Sequence, residues 1–293
     1  MEHNASRQAV VDNGVTYMML PDYWLTRPSV NLDERTKEAF DTLLTTTFNI
    51  NSECPTIAFN LPWPKWQFLC YLADHHEIAL HGSGDPNIAL FEPRQSQDLT
   101  EFGNQKAVYA ASDGLWAMFF AVVDRDRVKS ITNACVRLAD ETGTLHGPYY
   151  VFSVSQSALP TQPWRTGTVY LLSRSTFITQ PLLTSGSYQV HIAQLASFEP
   201  VRPLAKVTVT PADFPFLSQI RGHDDERLQE YATALQTGAP WPKDLCKVQC
   251  RLTMPRLARC DVEDCRKSDV RKRGAGLQQA EGAWRLYSDN FLP

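Results

Sequence analysis

Between residues 78 and 209 the chain carries short apolar runs, at Ile78 to Leu80, Ala107 to Ala111, Phe119 to Val123, Tyr149 to Val154, Thr168 to Leu172 and Leu204 to Val209. The segments between them are supplied with Gly, Pro, Asn, Asp and Ser, which favour turns. Runs this short, bounded in this way, read as strands. Helical signals flank them. Asn31 with Glu34 three residues later has the form of an N-cap and its reciprocal partner, and Ala39, Phe40, Leu43 and Leu44 behind it share one face, which predicts a helix over 32–47. After the interruption from Pro62 to Pro64, Trp66, Leu69, Cys70 and Leu72 predict a second helix ending near His75-His76. Leu228, Tyr231, Ala232 and Leu235 keep helical spacing beyond the strands. Helices, then strands, then a helix define an α+β fold rather than alternating βαβ units. The expected organisation is a helical part over 1–77 packed on a core over 78–240, followed by a tail over 241–293 of different composition.

At 293 residues, with 43% hydrophobic and 20% charged side chains, the chain has the make-up of a folded protein of one large domain or two modest ones. No run approaches the roughly 20 apolar residues that span a bilayer, so no membrane contact is expected. The opening MEHNASRQAV lacks the basic start and apolar stretch of a signal peptide. Seven cysteines, an odd count, fit a reducing compartment better than a disulfide framework, and the expected location is cytoplasmic. The net charge of −4 is uneven: Pro242 to Pro293 holds 11 Lys+Arg against 7 Asp+Glu, for +4, and the rest carries −8. A net-acidic body disfavours non-specific grip on a phosphate backbone, whereas the basic tail is either a solvated segment or a contact for nucleic acid. Cysteines 246, 250, 260 and 265 in the tail are spaced more widely than zinc sites usually are, so no metal is expected. No glycine-rich phosphate loop occurs.

The residues with the clearest chemistry are Leu80-His81-Gly82-Ser83 and, with Tyr109 placed 28 residues past His81, Val108-Tyr109-Ala110-Ala111. A histidine at a strand end can hydrogen-bond a ribose hydroxyl, and Gly82 lets bare backbone approach a carboxamide. Tyr109 offers an aromatic wall to a flat ring. These residues resemble the first two elements of the His-Tyr-Glu signature of the ADP-ribosyltransferases, the branch that holds diphtheria toxin and the poly-ADP-ribose polymerases.

The resemblance implies a split core of two packed, mostly antiparallel β-sheets with flanking N-terminal helices and NAD, as co-substrate, in the cleft between the sheets. It implies catalytic roles for His81, Tyr109 and Glu199, and cofactor contacts from His81, Gly82, Ser83, Arg94, Tyr109, Ala110 and Phe120. Phe120 falls where the family carries a second aromatic for nicotinamide. The family's serine position falls on Ala117, so that contact is missing or supplied by Ser83 or Ser112. Glu199, before the strand from Leu204, is the choice for the third element, which would polarise the incoming nucleophile. Glu141 reads as a surface charge and Gln194 is the fallback. Arg94 either pairs with the NAD pyrophosphate or is held by Glu92. The implied activity is transfer of ADP-ribose to a macromolecule with release of nicotinamide. Nucleic acid is favoured over protein, because the basic tail, Arg165 and Arg174 offer phosphate contacts. The absence of a Glu-x-Glu turn argues against arginine as acceptor. Bacterial toxin–antitoxin and anti-phage defence proteins are the implied relatives, with an antitoxin or chaperone as partner. The alternatives are an inactive NAD- or nucleotide-sensing module of the same fold and an NAD glycohydrolase.

Overall fold

The computed structural model describes residues 10–237, leaving out 13–14, 18–22, 30–31, 97, 99–100 and 186–187. The first helix, α1 (Glu34–Phe48), is capped by Asp33, whose carboxylate accepts the Thr36 amide at 2.8 Å. The cap expected at Asn31 lies outside the described residues. The second helix, α2 (Lys65–His75), starts directly after Pro64 and buries Trp66, Phe68, Leu69, Tyr71 and Leu72.

A small hairpin joins β1 (Val10–Asp12) to β2 (Val15–Tyr17), and β3 (Leu25–Thr26) follows. The strand-rich middle comprises β4 (Ile78–Ser83), β5 (Arg94–Gln95), β6 (Lys106–Ala111), β7 (Ile131–Ala139), β8 (Leu145–Ser155), β9 (Gly167–Ser173), β10 (Ile178–Thr179), β11 (Leu183–Ser185), β12 (Tyr188–Ile192), β13 (Gln194–Ser197), β14 (Pro203–Val209) and β15 (Arg221–His223). A seven-stranded sheet runs β10-β13-β6-β4-β9-β14, with β5 on β6. A six-stranded sheet runs β11-β12-β7-β8-β15, with β3 on β8. Every ladder among the described residues is antiparallel except that of β15 on β8. The expected α+β class of two mostly antiparallel sheets is therefore observed.

The run Phe119 to Val123, expected as a strand, is instead the end of a third helix, α3 (Gly114–Val122), and its C-cap. All nine residues of α3 are buried, so the sequence has no polar face and no period to separate helix from strand. What starts the helix is Asp113, whose side chain accepts the Trp116 amide at 2.9 Å. The helix lies hard on the seven-stranded sheet. A Cβ at Gly82 would stand 1.9 Å from the Ala117 carbonyl oxygen, and one at Gly167 would stand 2.0 Å from that of Ala121. Only glycine admits this approach.

One apolar cluster holds the molecule together. It joins Phe40 of α1, Phe68 and Leu69 of α2 and Leu115 and Phe119 of α3 to Leu80, Leu171 and Val207 of one sheet and Ile131 and Phe152 of the other. The N-terminal helices thus belong to the same core as the strands. A last helix, α4 (Leu228–Thr237), contributes buried Leu228, Tyr231 and Ala232.

Two buried polar clusters tie the elements together. Arg27 donates to Asp113 at 2.6 Å, to the Tyr150 hydroxyl at 3.1 Å and to Asp74, while Tyr150 donates to Asp113 at 2.8 Å. In the other, His223 meets Ser130 and Ser153 hydroxyls at 2.7 Å through its two ring nitrogens. Ser155 donates to Asp225 at 2.7 Å, and Ser130 donates to the same carboxylate.

Candidate functional site

The site is built where β4 and β6 part. Their ladder carries one residue pair, Leu80 opposite Ala111, and beyond it the imidazole of His81 takes the place of a backbone partner, meeting the Tyr109 carbonyl at 2.8 Å through Nδ1. A carbonyl oxygen only accepts, so Nδ1 carries the proton and Nε2 is the unprotonated nitrogen of the neutral ring. Burial pushes the His81 pKa down to about 4, against the opposing pull of that hydrogen bond, which keeps the ring neutral at neutral pH. Phe91 packs on the imidazole with ring centroids 4.5 Å apart. Phe91 is itself fixed by reciprocal 2.9 Å backbone bonds with Val201 and by an edge contact with Tyr170 at 5.2 Å. The Tyr170 hydroxyl donates to the Asp85 carbonyl at 2.8 Å and accepts the Ile88 amide at 3.0 Å, pinning the loop between β4 and β5.

Under that loop lies a cavity of about 230 Å³ lined by His81, Asp85, Ile88, Phe91, Glu92 and Arg94 together with the β6 segment Ala107 to Tyr109. It combines an aromatic ring, a neutral imidazole and one guanidinium with two carboxylate-bearing residues. Pockets that enclose a whole drug-sized ligand measure about 300–1,000 Å³, so this one has room for one end of a dinucleotide. Arg94, in the short edge strand β5, is exposed at its mouth.

Most of the other expected residues occupy different surroundings. Tyr109 lines the cavity with its β6 neighbours and meets His81 through its carbonyl. Its ring leaves β6 on the face opposite Val108 and packs with Phe102, Ala107 and Ala196. The Tyr109 hydroxyl accepts the Gln105 amide at 2.9 Å and lies 3.0 Å from the Phe102 and Gln105 carbonyls, so it anchors the turn before β6. Burial raises its pKa. Phe120 is buried in the main core beside Trp116 and Phe119. The close approach that Gly82 permits is that of α3, and Ser83 accepts the Asp85 amide at 3.0 Å. Ala110 faces Leu195 on the adjoining strand.

Glu199 is exposed in the turn after β13, where its amide lies 3.3 Å from the Ser197 hydroxyl, and it is not among the residues lining the cavity. The strand it precedes, β14, is the edge strand beyond β9, three places from β6. Gln194 is differently placed: it is the first residue of β13, opposite Ala111 on the strand that carries Tyr109. Glu141 is exposed in the turn between β7 and β8, as expected. Ser112 donates its amide to the Ala193 carbonyl at 2.9 Å. Arg165 lies over Gly84, with its Cζ 1.9 Å from where a Cβ would stand, and Arg174 donates to Thr179 at 2.9 Å. Neither lines the cavity. Phe91, the ring nearest His81, was not singled out in the sequence, because nothing local marks it as the residue that β-bridging to Val201 would turn inward.

Among the described residues no cluster of side chains could hold a metal ion, and no helix is long and apolar enough to cross a membrane. The tail cysteines lie outside the described residues. No family model, curated protein or solved structure matches the chain.

Proposed function

We propose that the chain is an NAD-dependent ADP-ribosyltransferase that holds one end of NAD in the cavity at His81 and transfers ADP-ribose to a macromolecule with release of nicotinamide. The observation that carries this reading is the fixed imidazole. Its Nδ1 proton is committed to the Tyr109 carbonyl, which fixes the ring as a neutral imidazole at the cavity wall, and Phe91 and Arg94 line the same cavity. Arg94 at the mouth suits the pyrophosphate, as a guanidinium can engage it with two parallel donors. Loss of nicotinamide builds positive character on the ribose, which a nearby carboxylate stabilises more in the transition state than in the ground state. Glu199 supplies that carboxylate in the transferase reading, and nucleic acid is the favoured acceptor.

A second reading, a nucleotide-sensing module without turnover, is supported by a specific observation: the first residue of the strand beside Tyr109 is the amide Gln194, and Glu199 is exposed in a turn. Incubating the purified chain with radiolabelled NAD and a cell extract separates the readings. Label removed by nuclease identifies a nucleic-acid modifier, and label removed by protease identifies a protein modifier. Nicotinamide release without macromolecular label identifies a glycohydrolase. NAD binding with neither label nor release leaves the sensing module, and absence of NAD binding rejects the cavity assignment. For the transferase, Glu199→Gln is expected to lower transfer about 100-fold with NAD affinity preserved, since electrostatic groups at a reacting centre typically carry effects of that size. Unchanged transfer would remove Glu199 from the mechanism.

A further inference from the structure

The turn before β9 presents a guanidinium that donates to nothing. Arg165 is held from two sides: its amide donates to the Val122 carbonyl at the end of α3 at 2.8 Å, and its side chain is laid against Gly84, with Cζ, Nη2 and Nε 1.9, 2.1 and 2.4 Å from where a Cβ would stand. The turn that delivers it is in a strained shape. Gln162 takes a left-handed φ of 48°, uncommon for a residue with a Cβ, and Arg127 donates to the Thr161 and Gln162 carbonyls on either side of that bend. So held, the Arg165 side chain makes no hydrogen bond among the described residues. Its carboxylate neighbour, Asp124, stands 3.9 Å from Nη1 and accepts the Asp126 amide instead. Nε is buried without an acceptor, so the 26% of the side chain that is exposed belongs to its other atoms. Arg174, the other arginine expected on phosphate, already donates to Thr179.

The surroundings are cationic. Arg125, Arg127, Lys129 and Arg165 stand against Asp124 and Asp126, four charges to two, in a body whose net charge outside the tail is −8. The place is also close to the cavity. Ser83 pairs with Thr168, which brings Gly84 and the turn before β9 to one end of the β4–β9 ladder. Gly84 opens the loop that roofs the cavity, and the next residue, Asp85, lines it.

We infer that Arg165 anchors a backbone phosphate of the nucleic-acid acceptor at the root of the loop over the His81 cavity. A guanidinium with open donors gives a phosphate two parallel charge-assisted bonds, and such a contact positions a strand without reading its sequence. That the phosphate belongs to an acceptor strand rests on the transferase reading above. The anion site itself rests on the donors without acceptors, the clamp on Gly84 and the local excess of positive charge.

The test is fluorescence anisotropy of a labelled single-stranded DNA oligonucleotide with the full chain, without NAD, over a range of salt concentrations. Arg165→Gln is expected to weaken binding about tenfold, the size of a lost charged hydrogen bond. It is also expected to lower the slope of log affinity against log salt by about 0.7, one phosphate contact on a single strand. Arg165→Lys, which keeps the charge without the fork, is expected to keep the slope and lose part of the affinity. Arg174→Gln is expected to change neither. Unchanged binding and slope in Arg165→Gln would overturn the proposal, and so would an equal loss in Arg174→Gln. Loss of the NAD-induced rise in Tm in Arg165→Gln, with oligonucleotide binding intact, would give the guanidinium to the NAD pyrophosphate and overturn it too. Should Arg165→Gln not fold, the wild type decides: the oligonucleotide is expected to block phenylglyoxal modification of Arg165, read by mass spectrometry, and unblocked modification would overturn the site. A wild type that does not bind the oligonucleotide but is stabilised by NAD overturns the phosphate anchor alone. A wild type that binds the oligonucleotide but not NAD supports the anchor and removes the NAD reading.

Discussion

His81 and His223 are the two imidazoles whose burial sets their chemistry. Both have pKa values pushed down to about 4 by burial, below the ordinary value of 6.5. Between those limits the unfolded chain binds protons that the folded chain refuses. Stability therefore rises with pH across that window, is complete above about pH 6.5, and is lost as pH falls toward 4. Each imidazole contributes roughly 3 kcal/mol to that change over the whole window. Urea denaturation at pH 5 and pH 7 is expected to give a markedly lower midpoint at pH 5. His223→Gln is expected to remove about half of the difference, and a midpoint independent of pH would contradict it. His81 was legible in the sequence as a strand histidine beside small residues. His223 was not, because its hydroxyl partners Ser153 and Ser130 stand 70 and 93 residues away in sequence.

At the level of elements, α3 decides how the seven-stranded sheet meets the rest of the core. It was not legible as a helix because a wholly buried apolar run of nine residues carries neither period, and the informative residue was the cap at Asp113. That carboxylate serves twice, capping α3 and pairing with Arg27 from the segment after β3. Asp113→Ala removes the cap and leaves a largely buried guanidinium with fewer partners. Losing one member of a buried ion pair costs about 3–5 kcal/mol, more than the roughly 1 kcal/mol of a lost cap. Equilibrium unfolding of Asp113→Ala is expected to show a loss in the larger range, and a loss near 1 kcal/mol would mean that Asp74 and Tyr150 suffice for Arg27. The candidate third element illustrates the same limit. Glu199 and Gln194 stand five residues apart in sequence, and only strand pairing reveals that the second adjoins Ala111 while the first belongs to a turn.

For the whole molecule, the order of helices and strands sufficed to read the α+β class, since that depends on local pattern. The strand order β10-β13-β6-β4-β9-β14 could not be read in this way, because pairing between strands distant in sequence is fixed by tertiary packing. The same packing governs whether residues 1–77 can be separated from 78–240. Phe40 and Leu44 of α1 and Phe68, Leu69 and Leu72 of α2 share a cluster with Leu80, Leu171 and Val207 of the sheet. Removing them exposes the apolar face they cover, at about 1.5–3 kcal/mol for each large side chain left without its burial. Several such losses are as large as the roughly 5–15 kcal/mol by which a whole domain is stable. A chain beginning at Ile78 is therefore expected to lack a cooperative thermal transition and to bind dyes that report exposed apolar surface. A sharp melt from that shortened chain would instead make residues 78–240 an independent folding unit and reduce the N-terminal helices to an appendage.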